Sequence, residues 1–218
     1  MTHPAGETQE IPADQVPGGG AALDRVVEAL ARDGLVAYPT ETFYGLGANA
    51  TSEKALDRLF DAKQRPRDMP VPVIIGEPGA LAPLVTHVSK SAGKLMKAFW
   101  PGPLTLLFPA AGGCPARVTG GTGKVGVRVP DHPVAAAIAR GCAWPITATS
   151  ANRSGEREAC AAGELDGALR EAVDLIISGA RTPGGPPSTV LDVTVEPPRL
   201  VRPGRIPEAE IRSALEAA

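Results

Sequence analysis

The stretch Leu35-Val36-Ala37-Tyr38-Pro39-Thr40-Glu41-Thr42-Phe43-Tyr44-Gly45-Leu46-Gly47 decides how the chain is read. Its first four residues are an apolar run too short for a helix, and Asp33-Gly34 supplies a stop just before them, so they read as a buried strand. Pro39 to Gly47 then reads as the loop at the carboxyl end of that strand. It packs two threonines, a carboxylate, two aromatics and two glycines into nine positions. A loop that only reversed the chain would need far less.

Working outward, Leu23, Val26, Val27 and Leu30 recur at helical spacing and predict a helix over 21–32. On the other side Ser52 reads as the N-cap of a helix with Ala55, Leu56, Leu59 and Phe60 on one face, ending near Lys63. A strand follows at Val71 to Ile75, then a helix from Ser89 to Trp100, cut off by Pro101-Gly102-Pro103. Further strands are expected at 104–108, 125–129, 145–149, 174–178, 189–193 and 199–202, with helices at 133–140 and from Pro207. Alternating strands and helices predict an α/β domain over 21–218 with helices covering a twisted sheet, and ligands gathered at the strand ends. Residues 1–20, ending Pro17-Gly18-Gly19-Gly20, have little apolar content and read as a flexible tail.

Composition narrows the classes. With 218 residues and 43% apolar content the chain can bury a real core, and with 4% aromatics that core must be aliphatic. A net charge of -2 argues against a surface that is basic throughout, yet bases clearly outnumber acids between Lys54 and Arg128. Three cysteines without metal-ligand or redox spacing fit a reducing cytoplasm, and no apolar run is long enough to span a membrane.

Several stretches could carry chemistry. Gly120-Gly121-Thr122-Gly123-Lys124 imitates part of a phosphate-binding P-loop, but Val118 and Val125 stand where that motif needs glycine and a hydroxyl, and it precedes a strand instead of following one. Lys63-Gln64-Arg65-Pro66-Arg67 could hold a polyphosphate or could be a solvated helix end. Thr147 to Gly155 and Pro186 to Thr189 could each line an anion pocket with hydroxyls and backbone N–H groups, or could be capped turns. His3, His87 and His132 lack metal-site spacing, and no serine sits in a nucleophile elbow. Cations, hydroxyls and glycine loops suit the positioning of phosphate and carboxylate groups better than covalent catalysis.

Taken together, Pro39-Thr40-Glu41-Thr42-Phe43-Tyr44-Gly45-Leu46-Gly47, Lys63-x-Arg65, Phe99 to Thr105, Val127 to Pro133, Ser150-Ala151-Asn152 with Ser154-Gly155, Ser188-Thr189 and Arg202-Pro203-Gly204 resemble the YrdC/TsaC family of L-threonylcarbamoyladenylate synthases. The resemblance implies a twisted, mostly parallel α/β sheet with a deep, positively charged cavity. It implies formation of threonylcarbamoyl-AMP and pyrophosphate from L-threonine, bicarbonate and ATP, with Mg²⁺ as the companion of ATP. The product would pass to partner proteins that build N6-threonylcarbamoyladenosine on tRNA in the cytoplasm.

By the same resemblance Lys63 and Arg65 would act on the phosphates and the carbamate. Ser150, Asn152, Ser188 and Arg202 would bind the nucleotide, and Thr40 and Arg128 would hold threonine. Pro39 to Thr42 would form one wall of the pocket, with Tyr44 to Gly47 letting the backbone pass close to the ligand. No dedicated protein metal site is expected, and the end at Ala218 suggests the short form of the family. The strand Val71 to Ile75 lacks the histidine that many members carry near the substrate. Two other readings are a carbamoyl-adenylate-forming enzyme using carbamoyl phosphate, and an RNA-binding module without catalysis whose affinity would fall steeply with salt.

Overall fold

The computed structural model describes residues 8–216 of the chain. Its strands are β1 (Gln9–Pro12), β2 (Val36–Pro39), β3 (Tyr44–Gly47), β4 (Val73–Ile74), β5 (Leu104–Pro109), β6 (Lys124–Arg128), β7 (Ile146–Thr147), β8 (Thr149–Ser150), β9 (Leu175–Ser178), β10 (Thr189–Asp192) and β11 (Arg199–Arg202). The helices are α1 (Ala21–Ala31), α2 (Glu53–Lys63), α3 (Lys90–Phe99), α4 (Ala116–Thr119), α5 (Pro133–Gly141), α6 (Gly167–Ala172) and α7 (Glu208–Glu216). The expected helices form: Ser52 Oγ accepts from Ala55 N as the expected cap, and the structure adds a second cap, Ser89 Oγ accepting from Ala92 N.

One expectation gives way here. The strands form two sheets, ordered β1-β9-β2-β3-β8 and β11-β10-β5-β6-β4-β7, and both are mixed. In the first, β1 and β2 run parallel to β9, while β3 is antiparallel to β2 and β8. In the second, parallel pairs β10–β5 and β4–β6 alternate with antiparallel β10–β11, β5–β6 and β4–β7. The single mostly parallel sheet is therefore corrected to two mixed sheets within an α/β fold. Alternating helices and strands in sequence do not distinguish the two, because short hairpins add antiparallel neighbours without any helix between them.

The apolar run 36–38 is buried on both faces. Val36 and Tyr38 pack with Val26, Leu30 and the α5 residues, while Leu35 and Ala37 join the larger core with Leu56, Leu59 and Ile176. Period-two alternation under two layers explains a strand with no polar position.

Tyr44 to Gly47, read above as loop, is strand β3, hydrogen-bonded back onto β2 with Tyr38 opposite Gly45. Its two glycines lower strand propensity and hide the strand from a sequence reading. Their purpose is the Tyr38 ring: a Cβ on Gly47 would stand 2.8 Å from Tyr38 Cε1, and one on Gly45 3.2 Å from Cζ. The glycines thus admit an aromatic ring, with Tyr38 Oη donating to Thr147 O at 2.9 Å.

The expected strand over 145–149 divides at Ala148 into β7 and β8, one in each sheet, so a few residues join the two sheets. Part of the stretch expected as a flexible tail belongs to the fold. Gln9–Pro12 pairs in parallel with β9, and Ile11 and Val16 are buried, an edge strand anchored by too few apolar residues to show periodicity. Residues 1–7 of the expected tail, and the last two residues of the expected domain, lie outside the described residues.

Candidate active site

Where the two sheets meet, a cavity of about 180 Å³ opens between the β2–β3 hairpin and the ends of β6, β8 and β11. Thr40, Arg65, Arg128, Ser150, Ser188 and Arg202 border it, as do Thr42, Phe43, Thr149 and Glu158. The sequence places these residues far apart, and six of the expected site residues converge here. Lys63 and Asn152 do not border the cavity.

The Lys63-to-Arg67 segment divides three ways. Gln64 takes a left-handed conformation at the carboxyl end of α2, with φ 50°, and turns the chain out of the helix. Lys63, 1% exposed, points inward, and its Nζ donates to Ser150 O, Asn152 O and, at 3.4 Å, Asn152 Oδ1. Arg65 reaches the cavity and donates to Pro70 O at 2.7 Å, and its buried Nε has no partner among the described residues. Arg67 pairs with Asp57 and Asp61 on the outer face of α2 and lies 5.9 Å from the Phe60 ring. The ambiguity between a polyphosphate cradle and a solvated helix end thus has a split answer: Arg65 fits the first and Arg67 the second.

Lys63 organises the Ser150-Ala151-Asn152 loop. Ser150 Oγ donates to Asn152 Oδ1 at 2.5 Å, and Asn152 Nδ2 donates to Glu156 O at 2.6 Å. Asn152 is thereby occupied within its own loop, while Ser150 still faces the cavity. Burial pushes the Lys63 ammonium down to about 8; Arg65 adds to the fall and Glu158 opposes it.

At the opposite wall Arg202 donates to Ser188 O at 2.8 Å and to Ser188 Oγ at 3.1 Å, and Ser188 Oγ lies 3.1 Å from Thr105 Oγ1. Gly204 makes this contact possible, since a Cβ there would stand 2.4 Å from Pro187 O. Arg128 ends β6, is 5% exposed and pairs with Glu41 from the hairpin loop. Burial pushes its guanidinium down to about 10, Tyr38 opposing and Arg202 adding, so it remains cationic at neutral pH.

The hairpin loop is itself held in place. Thr40 Oγ1 donates to Phe43 O at 2.7 Å, Gly184 N donates to Thr42 O at 2.9 Å, and Arg205 donates to both Glu41 O and Gly184 O.

The P-loop imitation is accounted for elsewhere. Lys124 Nζ donates to Asp192 Oδ2 at 2.7 Å, and Gly120 packs against the backbone of 68–70. Glu158 is the cavity residue the sequence did not single out. It lies in a charged loop with no periodicity, so nothing local distinguishes it from Glu156. Among the described residues it makes no ion pair, yet its charge acts on both Lys63 and Arg202. Three guanidinium groups and several hydroxyls facing one cavity suit a ligand with more than one anionic group.

The Sua5/YciO/YrdC family model, described as telomere recombination, matches residues 28–204. A threonylcarbamoyl-AMP synthase of Pyrococcus abyssi is 42% identical over 88% of this chain and 56% of its own length. One from Vibrio vulnificus is 37% identical over 84% of this chain and 98% of its own. The crystal structure of P. abyssi Sua5 complexed with L-threonine superimposes with a TM-score of 0.83 at 39% identity, covering 89% of this chain and 57% of that one. The chain thus spans little more than half the length of its archaeal relative.

Proposed function

The chain belongs to the Sua5/YciO/YrdC family, and from that premise we propose that it is an L-threonylcarbamoyl-AMP synthase. On this reading it joins L-threonine, bicarbonate and ATP, releases pyrophosphate, and hands its product in the cytoplasm to the proteins that transfer it to tRNA. The observation that carries the reading is the convergence of Thr40, Arg65, Arg128, Ser150, Ser188 and Arg202 on one cavity, in a chain resembling synthases of this name.

The chemistry accounts for the charges. The amine of threonine adds to bicarbonate, with loss of water, to give a carbamate. A carbamate oxygen then attacks the α-phosphorus of ATP and pyrophosphate leaves. Every reactant carries an anionic group, so the site must offset their repulsion and align the attack. Arg128, buried beside Thr40, takes the threonine carboxylate by paired hydrogen bonds. Arg65, whose buried Nε has no partner among the described residues, faces the carbamate and phosphates. Ser188 and Arg202 bind the nucleotide at one wall, and Ser150 binds it from the 150–152 loop. Lys63 and Asn152 act from behind by holding the 150–152 loop in shape, which makes them positioning residues.

Among the described residues no group of three or more His, Cys, Asp or Glu could hold a metal ion. One carboxylate, Glu158, borders the cavity together with hydroxyls. That donor set fits a Mg²⁺ ion held mainly by nucleotide phosphates and water, which when bound would neutralise phosphate charge.

The test is pyrophosphate release from ATP with L-threonine and bicarbonate omitted in turn, and with Arg65→Ala as control. Release that requires both co-substrates and fails in the variant is expected. Release with carbamoyl phosphate in their place, or none at all, would overturn the reading.

A further inference from the structure

The ion pair between Glu41 and Arg128 has an unusual balance. Arg128 borders the cavity, and Glu41 stands between the cavity residues Thr40 and Thr42. Oε1 of Glu41 accepts from Arg128 Nη1, while Oε2 is buried with no partner among the described residues. An ionised oxygen left without a donor is costly inside a protein. Such a group is a receptor for a cation.

We propose that this pair selects the amino acid by its two charges: an incoming zwitterion opens the pair, its carboxylate taking Arg128 and its α-ammonium taking Glu41. The inference rests on the proposed synthase reading and deepens it.

The argument is one of charge conservation. An anion alone on Arg128 would leave Glu41 as an unpaired carboxylate, and a cation alone on Glu41 would leave Arg128 unpaired. Either outcome strands a buried charge. A molecule carrying both charged groups on one carbon replaces the whole pair with no net change. Selectivity then comes from what each wrong ligand leaves unsatisfied, the strongest discrimination a polar site offers.

The hairpin geometry supports the swap. Gly184 N and Arg205 hold the loop through backbone carbonyls, including Glu41 O, so the Glu41 side chain can turn while its backbone stays fixed. Glu41 is therefore a specificity residue, distinct from Thr40 and Arg128, which the family resemblance already implies for threonine.

The experiment is calorimetric titration with L-threonine, with 2,3-dihydroxybutanoate, which replaces the ammonium by a hydroxyl, and with L-threoninamide, which lacks the carboxylate. The unmodified protein should prefer threonine to either analogue by about 100-fold or more. Glu41→Gln, which keeps an acceptor for Arg128, should lower threonine affinity and shrink the preference over 2,3-dihydroxybutanoate to about tenfold or less. Glu41→Asp should restore much of that preference. Equal binding of threonine and the deamino analogue by the unmodified protein would overturn the inference without any variant. So would unchanged discrimination in Glu41→Gln. If the unmodified protein binds no threonine at all, the synthase reading itself falls.

Discussion

Strand β6 carries a cation at each end, and each meets a carboxylate: Lys124 pairs with Asp192, and Arg128 with Glu41. Both carboxylates are mostly buried, but they are treated differently. Asp192, 1% exposed, accepts from Lys124 Nζ at 2.7 Å, Thr194 N at 3.0 Å, Thr194 Oγ1 at 2.6 Å and Arg199 Nη2 at 3.5 Å. Among the described residues Glu41 makes one side-chain hydrogen bond, and its buried Oε2 has no hydrogen-bond partner. The first pair has partners on both oxygens and gains nothing from a ligand. The second is incomplete, and its arginine borders the cavity. The number of partners separates a pair that builds the fold from one left open for chemistry.

The widest break in this comparison is Arg128→Ala. It removes the carboxylate receptor and strands Glu41, so threonine affinity should fall by about 100- to 1,000-fold, or about 3–4 kcal/mol, while ATP affinity changes little. Calorimetry with each ligand separately checks both halves.

Asp192→Ala should act on stability alone. Loss of about 2–4 kcal/mol is expected in denaturant titration, because the Thr194 turn and two cations lose their acceptor. Turnover per folded molecule should hold.

The pH dependence of that pair follows with its sign. Burial would raise the Asp192 carboxyl, but the hydrogen bonds from Lys124 and Thr194 win and hold it below its ordinary value. The folded state therefore binds the proton less readily than the unfolded chain does. Its stabilisation is complete above about pH 4 and is lost as pH falls through the depressed folded value. Relative to Asp192→Asn, the advantage of the unmodified protein should hold steady above about pH 4 and shrink as pH falls below it in denaturant midpoints.

A smaller effect sharpens the account of the hairpin that carries Glu41. Gly47→Ala puts a methyl 2.8 Å from the Tyr38 ring and should cost about 1–3 kcal/mol, with Gly45→Ala costing less because its nearest contact is 3.2 Å. Thermal unfolding of the two variants would rank them. The smallest change belongs to Lys124→Met, at about 1 kcal/mol or less, since Lys124 is partly exposed and Asp192 keeps Thr194 and Arg199.

Much of this was legible beforehand, and the failures share a cause. Helices α1, α2 and α3 announced themselves by their apolar faces and, for α2, by the Ser52 cap, because those signals lie within a few residues of one another. Strand β3 did not, since its glycines make sense only beneath a ring on β2. β1 did not either, since a single buried isoleucine holds it against a strand more than 160 residues away.

Among the expected site residues, the motifs in their order identified the family and picked out six residues that the fold brings to one cavity. They could not say that Lys63 faces a loop, Arg65 a cavity and Arg67 solvent, because that depends on the left-handed turn at Gln64. Nor could they pair Arg128 with Glu41, 87 positions away, or leave one oxygen of that glutamate unpartnered. Composition, periodicity and motif order are properties of neighbours along the chain, and the sequence by itself determined those. Which charge meets which, and which stays unmet, depends on long-range packing that brings distant segments within hydrogen-bond reach, and only the tertiary structure decided it.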